Sequence, residues 1–152
     1  NGGIGVTAYS DYPNSDTYYR LRRYSGVNFQ MSKHPDSQSN DLGGITESSV
    51  AMTANTWYSF RIKVENDTDN NRTLIKARIW PSSQAEDTSS WDIEAYDSSA
   101  RRITSGTVGV WTMRAGTKSF DDFLVTEIID DNGGGGGSGG KKLPRPTITP
   151  GE

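Results

Sequence analysis

Cysteine is absent from this chain, which excludes disulfides, thiolate zinc sites and cysteine nucleophiles together. Histidine occurs once, as His34 before Pro35, with no Ser/Asp arrangement of triad spacing around it, so nucleophilic catalysis has little support. No apolar run approaches the roughly 20 residues that span a bilayer as a helix. Neither sign of charge accumulates: 16 Lys and Arg stand against 19 Asp and Glu, with no long basic block. The field of the whole molecule therefore does not favour nucleic acid, and any affinity for anions must be local. Hydrophobic content of 32% is low for one large core, which favours a thin two-layer β structure over a bulky helical one. The chain opens on Asn1-Gly2-Gly3 without an initiator Met or a signal peptide, and reads as a mature or cut product or as a piece of something longer.

The clearest signal is the run from Trp57 to Val64, followed after a polar turn by Leu74 to Trp80. Phe60, Ile62 and Val64 alternate with Ser59, Arg61 and Lys63, and Ile75, Ala77 and Ile79 alternate with Lys76, Arg78 and Trp80. Successive strand side chains point to opposite faces, so the pattern predicts a hairpin with one apolar and one cationic face. Further strands are predicted near Ile4–Tyr9, Thr17–Arg23, Asn28–Ser32, Trp91–Asp97, Thr107–Met113 and Phe120–Ile128, with no convincing helical period anywhere. Several short strands between Gly, Asn, Asp and Ser clusters predict an all-β, antiparallel β-sandwich or jelly roll.

Composition changes after Asp131. Residues 1–131 form the expected β module, 132–140 are a Gly-rich linker, and 141–152 are a proline-containing tail or the lead-in to another module. Such a tether marks one part of a modular protein.

The order of segments resembles the concanavalin A-like, laminin G-like jelly roll of bacterial polysaccharide-binding and polysaccharide-degrading proteins. The residues that carry the likeness are Gly5-Val6 leading to Asp11 and Tyr18-Tyr19-Arg20-Leu21; Trp57-Tyr58; Ala77-Arg78-Ile79-Trp80-Pro81 before Trp91; Gly106-Thr107-Val108-Gly109-Val110; and Phe120-Asp121-Asp122-Phe123-Leu124-Val125. The resemblance spans about residues 3–128. It implies a secreted, extracellular protein with a glycan as partner. It also implies an N-terminal strand beside the Phe-Asp segment; this sequence starts inside the sheet, so that strand is cut away, or comes from a further domain or chain, or is replaced by the tail. The fold's glycosidases carry paired acids in a Glu-x-Asp-x-x-Glu-like pattern on one strand, and that pattern is missing here.

Charged and aromatic residues define the candidate site. Tyr18, Arg20 and Arg22 share one side of their strand, and Tyr19 and Leu21 the other. Joined on one face to Arg61, Lys63, Lys76 and Arg78, they would form a groove for a polysaccharide carrying carboxylate or sulfate, with Tyr18, Trp80 and the loop residue Tyr12 as sugar platforms. Trp91 and Trp111 are expected to help close the fold. Asp121 and Asp122 are candidate ligands for structural calcium, which needs several oxygens close together. The resulting expectation is a non-catalytic carbohydrate-binding module. The alternatives are an adhesive or structural domain assembling through an edge strand, and the C-terminal fragment of a polysaccharide-degrading enzyme.

Overall fold

Alternation along Arg72–Pro81 sets the architecture: Thr73, Ile75, Ala77 and Ile79 are buried while Arg72, Leu74, Lys76, Arg78 and Trp80 are half-exposed. In the computed structural model, which describes residues 2–24, 26–35 and 41–128, that segment is the sixth of eight strands. They are β1 (Gly3–Ser10), β2 (Tyr18–Tyr24), β3 (Gln30–His34), β4 (Gly43–Ile45), β5 (Tyr58–Asp67), β6 (Arg72–Pro81), β7 (Ile93–Asp97) and β8 (Thr107–Met113). Two four-stranded antiparallel sheets form, one in the order β3-β2-β1-β8 and the other β4-β7-β6-β5. The protein is an antiparallel β-sandwich.

The β5–β6 hairpin has the expected register. Phe60 faces Ile79, Ile62 faces Ala77 and Val64 faces Ile75 on the inner side, while Arg61 faces Arg78 and Lys63 faces Lys76 on the outer. Burial follows the position of each strand. β6 is paired on both sides and its inward aliphatics Ile75, Ala77 and Ile79 are fully covered, whereas β5 is an edge, so Ile62 and Val64 are half-buried and Phe60 remains 38% exposed. The core between the sheets joins Val6, Tyr19, Leu21, Phe29 and Met31 of one layer to Ile75, Ala77, Ile79, Ile93 and Ala95 of the other.

A charged cluster also crosses the core. Lys33 lies opposite Tyr19 in the β2–β3 ladder and therefore points inward. Its Nζ is 3.0 Å from Asp97 Oδ2 of the facing sheet, and both side chains are buried. The Tyr19 hydroxyl donates to the same oxygen at 2.8 Å, and the Ser99 amide donates to Asp97 Oδ1 at 2.9 Å. Burial works to raise the Asp97 pKa, but the hydrogen bonds from Ser99, Lys33 and Tyr19 outweigh it and the net shift is downward. Burial raises the Tyr19 pKa strongly, so its hydroxyl stays protonated and donates.

Two elements differ from the sequence reading. Gly43–Ile45 is a strand that the sequence does not announce, being three residues long with two glycines. Residues 120–128, predicted as a terminal strand, form none. Their pattern is strand-like, but a strand exists only through a neighbour that completes its backbone hydrogen bonds, and among the described residues none pairs with them. Phe120 packs on the core, while Leu124 is 82% exposed. The linker and tail assigned to 132–152 lie outside the described residues.

Candidate functional site: an arginine and aromatic stack on one outer face

The outer side of the β3-β2-β1-β8 sheet is organised in rows across the strands. One row runs Gln30, Arg22, Gly5, Trp111, and the next runs Ser32, Arg20, Thr7, Gly109. Val110 lies opposite Val6, whose side chain enters the core, so the period of two turns Trp111 outward. The expectation that Trp111 closes the fold is thus corrected. Glycines make its position attainable, since a Cβ on Gly3 would come within 2.7 Å of the Trp111 ring and one on Gly5 within 2.2 Å of the Leu21 carbonyl oxygen. With β1 bare at these positions, the indole reaches across it to the arginines of β2.

The result is a stack of alternating rings and guanidinium groups. Arg20 lies over Tyr18 at 5.7 Å and over Trp111 at 4.7 Å, and Arg22 lies over Trp111 at 5.9 Å and Tyr24 at 4.3 Å. His34, opposite Tyr18, stacks on that ring at 4.9 Å and holds Asp16 Oδ2 at 2.8 Å from Nε2. Among the described residues neither Arg20 nor Arg22 has an ion-pair partner. Each also has a buried Nε with no hydrogen-bond partner. Burial lowers the Arg20 pKa, and the neighbouring charge of Arg22 lowers it further. Arg20 is only 4% exposed, so it supports the rings on either side, and Arg22 is the more accessible cation.

The other expected cations lie elsewhere. Arg61, Lys63, Lys76 and Arg78 are on the outer side of the opposite sheet, so the structure does not bring them together with Tyr18, Arg20 and Arg22. Each is ion-paired: Arg61 with Glu86 at 2.8 Å, Lys63 with Glu65 at 2.7 Å, Lys76 with Glu94 at 2.9 Å and Arg78 with Asp92 at 2.7 Å. Asp87 lies 3.6 Å from Arg78, and hydrogen bonds from the Ser89 hydroxyl and amide and from Ser90 lower its pKa to about 2, so it stays ionised there. These four cations thus meet five carboxylates. Trp80 shares this outer face, and Trp91 lies beneath Arg61 at 4.4 Å. Tyr12 is exposed in the β1–β2 loop.

Asp121 and Asp122 are exposed, and the Asp122 amide donates to Asp121 Oδ1 at 2.9 Å. Among the described residues no group of three or more Asp, Glu, His or Cys is placed to hold a metal ion. Trp111, Tyr24 and His34 were not singled out by sequence as members of the site. The usable signal was the Gly109-Val110-Trp111 alternation, which fixes the indole's side once Val110 is placed inward. No protein-family model, curated protein or solved structure matches this chain.

Proposed function

We propose that this β-sandwich is a non-catalytic carbohydrate-binding module of a secreted, modular protein and takes an acidic polysaccharide on the outer face of the β3-β2-β1-β8 sheet. The single observation behind this reading is the pair of arginines with no direct ion-pair contact among the described residues, Asp16 acting on Arg20 only at longer range, interleaved with Tyr18, Trp111 and Tyr24. An anionic sugar offers both counterparts: its carboxylate or sulfate accepts from the Arg22 fork, and its apolar ring face rests on an aromatic. Arg20 serves as a fixed positive charge beneath the rings. The opposite face is less suited, because an incoming anion there would have to displace a carboxylate from each cation.

Affinity electrophoresis tests the proposal. Gels containing polygalacturonate or dextran sulfate should retard the protein, gels containing neutral dextran should not, and retardation should fade as salt rises above physiological strength, where the screening length is roughly 8 Å. Equal retardation by neutral and acidic polymers, or none by either, would refute it.

One observation favours a second reading, that of an adhesive or structural domain completed by a strand from another domain or chain. Val108 and Val110 of edge strand β8, Phe60 of edge strand β5, and Phe123, Leu124 and Val125 are all exposed apolar side chains. An apolar edge of this kind is a template for strand addition. Concentration-dependent association in light scattering supports it, and a strict monomer across that range opposes self-assembly.

A further inference from the structure

At the end of the sandwich where β1 begins and β2 ends, a cleft of about 690 Å³ opens between the segment 52–57 and the loop 115–119. Its size falls within the range of small-molecule sites, roughly 300–1,000 Å³. Arg23, Asn55, Thr56, Trp57, Thr117 and Lys118 contribute its functional side chains, and no Asp or Glu is among the lining residues. Arg23 follows Arg22 and so points to the other side of its strand, away from the stacked face.

Three features suit this cleft to an anionic ligand. Lys118 Nζ donates to the carbonyls of Arg114 at 2.6 Å and Ala115 at 3.0 Å, which leaves one of its three N–H groups free. The ammonium packs against Gly2, 2.5 Å from where a Cβ on that residue would lie, and the loop that holds it turns through Gly116 at φ +108°. Arg23 carries a buried Nε with no partner and, like Lys118, forms no ion pair among the described residues. Trp57, 56% exposed, offers an indole at the cleft wall.

We infer that this cleft is a second binding site, separate from the stacked face, for a single anionic sugar residue. The sugar ring stacks on Trp57 and its carboxylate takes the free N–H of Lys118 and the guanidinium of Arg23. Threonine and asparagine side chains around the rim supply hydrogen bonds to hydroxyls. This assignment rests on its own residues and does not require the polysaccharide reading of the sheet face.

The test is a titration of the full chain with monomeric galacturonate and with galactose, followed by the indole NMR signal of Trp57. Galacturonate should shift that signal with an affinity about tenfold or more above that of galactose, as one charge-assisted hydrogen bond provides. Lys118→Met and Arg23→Met should each remove that preference, Arg22→Ala should leave it unchanged, and Trp57→Ala, which removes the reporter, should abolish galacturonate binding measured by calorimetry. Using two cation variants keeps the test valid if loss of Lys118 disturbs its loop, because Arg23→Met leaves that loop intact. Equal shifts from the two sugars, no shift from either, or loss of the response in Arg22→Ala would overturn the assignment. Failure of the sheet face to bind polymer would leave it standing.

Discussion

Arg20 shows how far one side chain's role depends on its surroundings. Two residues before Arg22 on the same side of β2, it has the same sequence signature, yet it is clamped between Tyr18 and Trp111 while Arg22 reaches solvent. Truncating them should therefore give different results. Arg20→Ala should lower stability by about 1–2 kcal/mol in urea denaturation, since desolvated cation–π contacts and the packing of the guanidinium stem are lost together. Arg22→Ala should change stability by no more than about 0.5 kcal/mol and should reduce acidic-glycan binding instead. Gly5 is the complementary case. Gly5→Ala places a methyl against the Leu21 carbonyl, a backbone atom that cannot swing aside, and should destabilise by about 1–3 kcal/mol in the same assay.

Among the elements, β2 and β3 are tied to β7 by the Lys33–Asp97–Tyr19 cluster, where removing one charged partner leaves a buried charge uncompensated. Lys33→Met and Asp97→Asn should each cost roughly 3–5 kcal/mol, whereas the double variant should recover much of that loss. The pH dependence follows from the depressed Asp97 pKa. A carboxylate held below its unfolded value adds stability that is present above the ordinary aspartate range and lost as pH falls through the folded value. Acid titration of melting temperature should therefore show a loss below about pH 4 that is shallower in Asp97→Asn. The strands themselves were largely legible in the sequence. Alternation exposed β5 and β6 because one face of each is buried, and Thr107–Met113 was read with the bounds observed. Gly43–Ile45 was not legible, since three residues with two glycines carry no period, and 120–128 misled because a strand pattern does not guarantee a neighbour. Parity placed Tyr18, Arg20 and Arg22 on one side of β2, but parity does not say which sheet a strand joins. The cations of β2 and those of β5 and β6 therefore read as one face when the two sheets hold them apart.

Taken as a whole, the molecule has two outer faces of different electrostatic character on a chain of net charge −3. One carries neutralised ion pairs, and the other an arginine stack whose guanidinium groups make no direct ion pair among the described residues. Long-range attraction of a polyanion is thus weak, and binding depends on short-range contact at the stack, so salt should act mainly on affinity for charged glycans. The four tryptophans sample the molecule usefully: Trp111 reports on the stacked face, Trp80 and Trp91 belong to the opposite sheet and the loop beside it, and Trp57 marks the end cleft. The most direct measurement is an NMR titration of the four indole N–H signals with an acidic oligosaccharide such as an oligogalacturonate, at low and at high salt. If the stacked face is the site, the Trp111 signal moves saturably at low salt, far less at high salt, and hardly at all in Arg22→Ala, while Trp80 and Trp91 stay in place. Shifts confined to Trp80 and Trp91, with Trp111 unmoved, would put the ligand on the opposite sheet and contradict the proposed site.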